Sequence, residues 1–373
     1  MLVVRAIRES DLDALLDMAT KVGAGMTTLK PDRARLQARI EIACASFSEQ
    51  IPLDKRDYMF VMEDDDNGKV AGVCAIKSAV GMDEPFYNYR IGTLVHSSRE
   101  LNVFSRMETL YLSNDLTGST ELCSLYLNPE YRSGNNGKLL SKSRFLFISQ
   151  FPHLFHEKVI AEMRGFLLPD GSSPFYEGMG RHFFKMDFNH VDELTSIGKK
   201  SFIAELMPRQ PLYIAYLPKE AQEVVGQVHV STAPARRMLE QEGLYYEGYV
   251  DIFDAGPVLQ ARVSELRSMR ESALATVEAE AGAAASGAAA SAAMAPGSAA
   301  SDAALQSACE AVSTPEPWLL SNTVLKDFRV VVSSAKPQGG KIALPQEDAR
   351  LLGCAAGDPV RTLSLNPRKQ AHV

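Results

Sequence analysis

Along this chain the spacing of apolar residues switches repeatedly between a period near two and a period near 3.6, which predicts a mixed α/β architecture. Thr120-Glu121-Leu122-Cys123-Ser124-Leu125-Tyr126-Leu127 alternates, and is apolar enough, to be a strand in the middle of a sheet. Asn128-Pro129 ends it, because proline has no N–H for the ladder and restricts the residue before it. Tyr131-Arg132-Ser133-Gly134-Asn135-Asn136-Gly137-Lys138 follows as a turn dense in residues that accept positive φ, and it opens into a helix beginning Leu139-Leu140-Ser141-Lys142-Ser143-Arg144-Phe145. Residues 157–165 read as a second buried strand. After it, 173–184 reads as a second helix, with Ser173 as cap and Pro174 at the first helical position.

The remaining pattern fills in around these two strand–helix units. Residues 3–8 alternate as a short opening strand, and Ser10 with Asp13 has the spacing of a capping box before a helix striped by Leu12, Leu15, Leu16 and Ala19. Residues 23–29 are too permissive for a helix and read as a loop at a substrate mouth or a plain connection. An amphipathic helix is expected over 33–47 and a hairpin over 58–63 and 69–76, turned by the acidic run Asp64-Asp65-Asp66-Asn67-Gly68. Residues 83–96 mix aromatics, carboxylates and Arg90. Such a mixture suits a cationic ligand or an ordinary surface hairpin. A strand over 108–111, another over 183–188, a capped helix over 232–242 stopped by Gly243 and a closing strand over 246–253 complete a first domain of residues 1–260. Residues 272–305 are almost all Ala, Gly and Ser and read as a flexible linker. Beyond it, 315–373 carries short strands at 328–332, 341–344 and 360–365, which suggest a small β-barrel-like module.

Composition narrows the function classes. An apolar content of 46% and a charged content of 23% over 373 residues describe an ordinary globular protein with room for two domains. A net charge of −7 argues against nucleic acid or an anionic membrane as the main partner. Neither a basic-then-apolar leader nor an apolar run of about 18 residues is present, and the five cysteines form no CxxC pair and no metal spacing. A cytoplasmic protein without a metal centre is the expectation.

The turn at 131–138 is where chemistry enters. A Gly/Asn-rich turn at a helix start points several backbone N–H groups one way, where the helix dipole also favours negative charge. Arg132 and Lys138 bracket it, so phosphate is a natural guest, although a tight strand-to-helix connection would use the same residues. Taken with the second strand and the Ser173-Pro174-Phe175-Tyr176-Glu177 helix, the chain resembles the GNAT superfamily of N-acyltransferases. That resemblance implies a mixed sheet with flanking helices, whose two central strands splay so that the pantetheine arm of an acyl-CoA lies between them. It places the diphosphate on Arg132, Gly134, Asn135, Asn136, Gly137 and Lys138. One departure is Asn135, where the superfamily usually has Gly; Asn also tolerates the left-handed region.

Longer phrases sharpen the likeness. Asn88-Tyr89-Arg90-Ile91-Gly92-Thr93-Leu94-Val95-His96, Ala161-Glu162-Met163-Arg164-Gly165, Phe202-Ile203-Ala204-Glu205-Leu206-Met207-Pro208 and Gly226-Gln227-Val228-His229 resemble the bacterial arginine N-succinyltransferase family. The resemblance implies transfer of a succinyl group from succinyl-CoA to the α-amino group of L-arginine, the first step of arginine catabolism by the succinyl route, with no permanently bound cofactor and a homo- or hetero-oligomeric enzyme. It implies that Leu125 contacts succinyl-CoA and that His229 is the proton donor. Tyr176 competes for the acid role or packs against the pantetheine. Arg90 and Arg164 are candidates for the succinyl carboxylate, and Glu84, Asp115 and Glu121 for the guanidinium. An acyltransferase acting on ornithine or another amine, and a non-catalytic acyl-CoA-binding subunit, are the alternatives.

Overall fold

A computed structural model gives the fold and describes residues 1–22, 26, 28–196, 201–278 and 316–367. Most of the loop expected at 23–29 and the greater part of the expected linker lie outside the described residues. The strands are β1 (Leu2–Ala6), β2 (Asp57–Asp64), β3 (Lys69–Lys77), β4 (Asn88–Ser98), β5 (Val103–Ser113), β6 (Thr120–Leu127), β7 (Lys158–Glu162), β8 (Leu212–Tyr213), β9 (Tyr245–Asp251) and β10 (Pro257–Arg262). The C-terminal part adds β11 (Ala273–Val277), β12 (Trp318–Ser321), β13 (Arg329–Ser333), β14 (Lys341–Ile342) and β15 (Pro359–Ser364). All fifteen form one mixed sheet in the order β14-β11-β15-β12-β13-β1-β2-β3-β6-β7-β10-β9-β4-β5-β8.

Helices α1 (Leu12–Lys21) and α2 (Arg33–Phe47) lie against one face of β2 and β3. Helix α3 (Asn136–Gln150) packs on the other face, against β1, β3, β6, β12, β13 and β15. It is buried from Leu139 to Ser149, cations included, as befits a helix enclosed on every side. Inside, Lys142 Nζ lies 2.9 Å from Glu242 Oε1, and Arg267 reaches the same carboxylate oxygen at 2.8 Å. Three buried charges are tolerable because each is paired.

Several expectations change. The residue at the N-cap of α1 is Asp11 rather than Ser10, and its side chain caps no α1 amide; its carboxylate accepts from the Arg8 N–H at 2.8 Å while Arg5 fixes it from the other side at 2.7 Å. The strand expected at 183–188 is helix α4 (Arg181–Phe184), stopped by Lys185 at φ 56° and followed by α5 (Phe188–Ser196). Its aromatics still point inward, with Phe184 and Phe188 buried around Tyr176, so the apolar signal was genuine and its period was misread. Residues 246–253 give β9, but β10 follows and it is β10 that pairs with β7.

The C-terminal barrel is replaced by an open extension of the sheet. β13 pairs antiparallel with β1, joining Val330 to Val4, and Phe328 enters the main core at 4.9 Å from Phe147. Residues 273–277, assigned to the linker on composition, are β11 and pair with β15.

Candidate active site

The site lies where β6 leaves β7. These neighbours are parallel and pair at only two positions, Thr120 with Val159 and Glu121 with Ile160. β7 stays fully paired to β10 from Lys158 to Glu162, so the rest of β6 is left without a partner on that edge. On its other edge β6 pairs with β3, but the register slips between Val73 and Ala75, placing Ser124 and Leu125 opposite Cys74 alone. This is a β-bulge, and Ser124 adopts φ 54°, a left-handed conformation that is uncommon for serine and concentrated at functional sites. Arg39 holds it: its guanidinium donates to Ser124 Oγ at 2.8 Å while pairing with Asp57 at 2.7 Å.

A cavity of about 1410 Å³ opens at this parting. Of the residues singled out by sequence, Leu125, Arg132, Gly134, Gly137 and Lys138 line it. Asn135 and Asn136 do not. Asn135 has φ −102° and caps α3 through its carbonyl, which accepts from Leu139 N–H at 2.8 Å, and the Asn136 amide donates to Tyr131 O at 3.0 Å. The left-handed residue of the turn is Gly134, at φ 54°. A Cβ on Gly134 or Gly137 would meet nothing within 4 Å. The Asn136 N–H donates to Ser133 O at 3.2 Å, and the open space at Gly134 and Gly137 leaves room for an anion at the start of α3. Arg132 donates through Nε to Leu127 O at 2.9 Å, and Lys138 reaches Asn366 at 2.7 Å, a residue of the C-terminal segment.

His229 sits at the far end of β7. Its N–H donates to Arg164 O at 2.8 Å, beside the bridge between Gly165 and Val228. Its ring does not form the cavity wall, but Arg164, Ser231 and Thr232 around it do. Nδ1 is 2.6 Å from Ser231 Oγ and accepts from Ser231 N–H at 3.2 Å, which leaves Nε2 for exchange. Burial, and then the Arg164 charge, push the imidazole below its ordinary value. The segment is fixed by Asp254, which accepts from Gly165 N–H at 2.7 Å and Gly256 N–H at 2.8 Å. Glycine is required there: a Cβ on Gly256 would lie 2.0 Å from Met163 O. Burial raises the Asp254 and Asp251 carboxyls, and the Asp251 charge raises Asp254 further.

Tyr176 is elsewhere. It is fully buried among Phe184 and Phe188, its hydroxyl donates to Met186 O at 3.0 Å, and burial drives its phenol upward. It contributes nothing to the cavity wall. Arg90 is also remote, 60% exposed and 3.9 Å from Asp115, which in turn accepts from the Tyr249 hydroxyl. Glu84, Glu121 and Arg164 do line the cavity. Among the described residues no group of three or more His, Cys, Asp or Glu could hold a metal ion, and no helix is long and apolar enough to cross a membrane.

Sequence reasoning missed the Ser124 bulge, its Arg39 support, the Asp254 anchor and Arg144. Only Arg144 left a visible signal, as the second of two cations within the stretch 139–149, which is otherwise made of apolar residues and serines.

Comparison with known proteins gives the family. The profile described as arginine N-succinyltransferase beta subunit matches residues 2–268, and the profile of that subunit's C-terminal domain matches residues 303–364. An arginine N-succinyltransferase of Escherichia coli (strain 55989 / EAEC) is 45% identical over 365 residues, covering 98% of each chain. One from Shigella sonnei (strain Ss046) is also 45% identical over 365 residues. The solved structure of arginine/ornithine succinyltransferase subunit AI from Pseudomonas aeruginosa superposes with a TM-score of 0.82 at 31% identity, covering 98% of this chain and 99% of that one. This chain belongs to the arginine N-succinyltransferase beta subunit family.

Proposed function

We propose that the chain transfers the succinyl group of succinyl-CoA to the α-amino group of L-arginine, giving N2-succinyl-L-arginine and CoA. The observation that carries this reading is the parting of β6 from β7 at a bulge, with Gly134 and Gly137 at the start of α3 in one part of the cavity wall and Arg164 and Ser231, the neighbours of His229, in another. Pantetheine lies along the free edge of β6 as an added strand, and the diphosphate rests on the amides of Gly134, Gly137 and Lys138. The thioester carbonyl then falls beside Leu125, where a main-chain N–H holds the oxyanion of the tetrahedral intermediate.

The α-amine attacks that carbonyl, forming the C–N bond; collapse breaks the C–S bond and releases CoA thiolate. One proton must travel from the attacking nitrogen to sulfur. His229, whose Nδ1 accepts from Ser231 N–H and whose proton therefore sits on Nε2, gives that proton to the departing sulfur as the proton shed by the attacking nitrogen replaces it. Its depressed basicity suits a relay that must be neutral at the start of each turnover. Glu84 and Glu121 are the cavity carboxylates offered to the guanidinium; Glu121 lies 3.8 Å from Lys77 and so keeps a partner when the site is empty.

The test is thiol release by the purified chain alone, given succinyl-CoA with L-arginine, with L-ornithine, or with acetyl-CoA as donor. Release with succinyl-CoA and arginine, well above the other pairs, is the expected result. A chain that binds succinyl-CoA but releases no thiol would be a non-catalytic subunit, and preference for another pair would reassign the substrate.

A further inference from the structure

Of the cations lining the cavity, Lys55 and Lys77 face carboxylates, whereas Arg132, Lys138, Arg144 and Arg164 make no ion pair among the described residues. Of these four only Arg144 is buried. It is 2% exposed, lines the cavity, and makes no ion pair among the described residues. Its hydrogen bonds are Nε to Ser141 O at 3.2 Å and Nη2 to Ser141 Oγ at 3.1 Å. Two neutral acceptors from its own helix serve a group with five N–H donors. A buried guanidinium with no carboxylate is expensive, and it is kept where an anion arrives to complete it.

Position says which anion. Arg144 is one helical turn beyond Leu140 on α3, on the face turned toward β3 and β6, and the ionisable groups it feels are the thiols of Cys74 and Cys123. Cys123 precedes Leu125 by two residues, about 7 Å along a strand, in the direction of the closed end where β6 rejoins β7. An acyl chain whose thioester carbonyl lies beside Leu125, and which runs toward that end, brings a terminal carboxylate into the neighbourhood of Arg144. Arg164, whose Nε is buried without a hydrogen-bond partner, is the other candidate, but it lies beside His229 rather than toward the closed end, and Asp254 and Asp192 are the negative charges nearest it.

Resting on the acyl-transfer reading above, we infer that Arg144 binds the free carboxylate of the succinyl group and so selects a dicarboxylic acyl-CoA over a neutral one. A fork of two N–H donors matches a carboxylate, whereas acetyl- or butyryl-CoA would leave the guanidinium uncompensated.

The experiment compares succinyl-CoA with butyryl-CoA, which has the same chain length and no charge, for the wild type, Arg144→Met and Arg144→Lys. Binding is read by calorimetry without amine, and turnover by thiol release with arginine. The expected result is a loss of about 10²-fold for succinyl-CoA in Arg144→Met, an unchanged or improved butyryl-CoA, and partial rescue in Arg144→Lys. Because Met removes a buried charge without leaving another unpaired, this variant is expected to melt no lower than the wild type. Equal losses for both thioesters, no loss for either, or a succinyl-selective loss in Arg164→Met alone would overturn the assignment. If Arg144→Met fails to fold, Arg144→Lys decides, since equal affinity for both thioesters in a folded lysine variant contradicts a charge-reading role. A wild type that favours succinyl-CoA in binding and loses this preference in Arg144→Met, yet acylates nothing, supports Arg144 while removing the acyl-transfer reading.

Discussion

At the scale of single residues, His229 shows what sequence and structure each contribute. The chain has seven histidines, and nothing in the local pattern around His229 separates it from the others; only the family resemblance pointed there. The structure adds a reason in its hydrogen bond to Arg164 at the end of β7 and its ring braced by Ser231. His229→Ala is expected to keep the fold and lose about 10²–10⁴ in turnover, checked by thiol release beside a thermal melt. The imidazole must be neutral to accept the proton, and burial and Arg164 both lower its pKa. The acid limb of kcat/KM is therefore expected below the ordinary histidine value of about 6.5, and Arg164→Met should move it to higher pH. A limb that does not respond to Arg164→Met would mean that another group sets it. Tyr176 teaches the opposite lesson: its position in a familiar helix suggested acid chemistry, but its environment is a sealed aromatic core.

At the scale of elements, β6, the turn and α3 were legible because their signals are local. Alternation, a proline stop and a Gly/Asn-rich turn each act within a few residues. What was not legible depends on neighbours distant in sequence. The bulge at Ser124 exists because β3 offers one residue where β6 offers two, and because Arg39 on α2 reaches across to hold it. Asn135, where the superfamily usually has Gly, is by sequence only tolerant of the left-handed region, and the structure puts the left-handed residue one position earlier, at Gly134, where no side chain has to be accommodated. Gly137→Asp places a carboxylate in the open first turn of α3, where the diphosphate is proposed to rest. The KM for succinyl-CoA is expected to rise by about tenfold or more with a smaller change in kcat, because a charge-assisted contact made equally in ground and transition states is lost. An unchanged KM would move the diphosphate elsewhere.

At the scale of the whole molecule, the described parts on either side of the Ala/Gly/Ser-rich stretch share one sheet. The Ala/Gly/Ser-rich stretch suggested two modules joined by a tether, yet the strands after it continue the same sheet beside β1. Phe328 packs edge-on to Phe60 and Phe147, so the C-terminal segment completes the core around α3, and Asn366 even reaches Lys138 at the cavity. Pairing between strands more than 300 residues apart in sequence leaves no local trace. Phe328→Ala is expected to cost about 3–5 kcal/mol and to lower a single cooperative transition in denaturant. A separate early transition for the C-terminal strands would contradict a shared core.

The account rests on an acyl-CoA lying in the parting between β6 and β7, and a crystal structure of the chain with CoA and N2-succinyl-L-arginine tests this most directly. The expected density runs from the first turn of α3 at Gly137, along the free edge of β6 past Leu125, with sulfur facing the His229 side. Density for CoA anywhere else, or β6 and β7 zipped together along their full length in the complex, would contradict it.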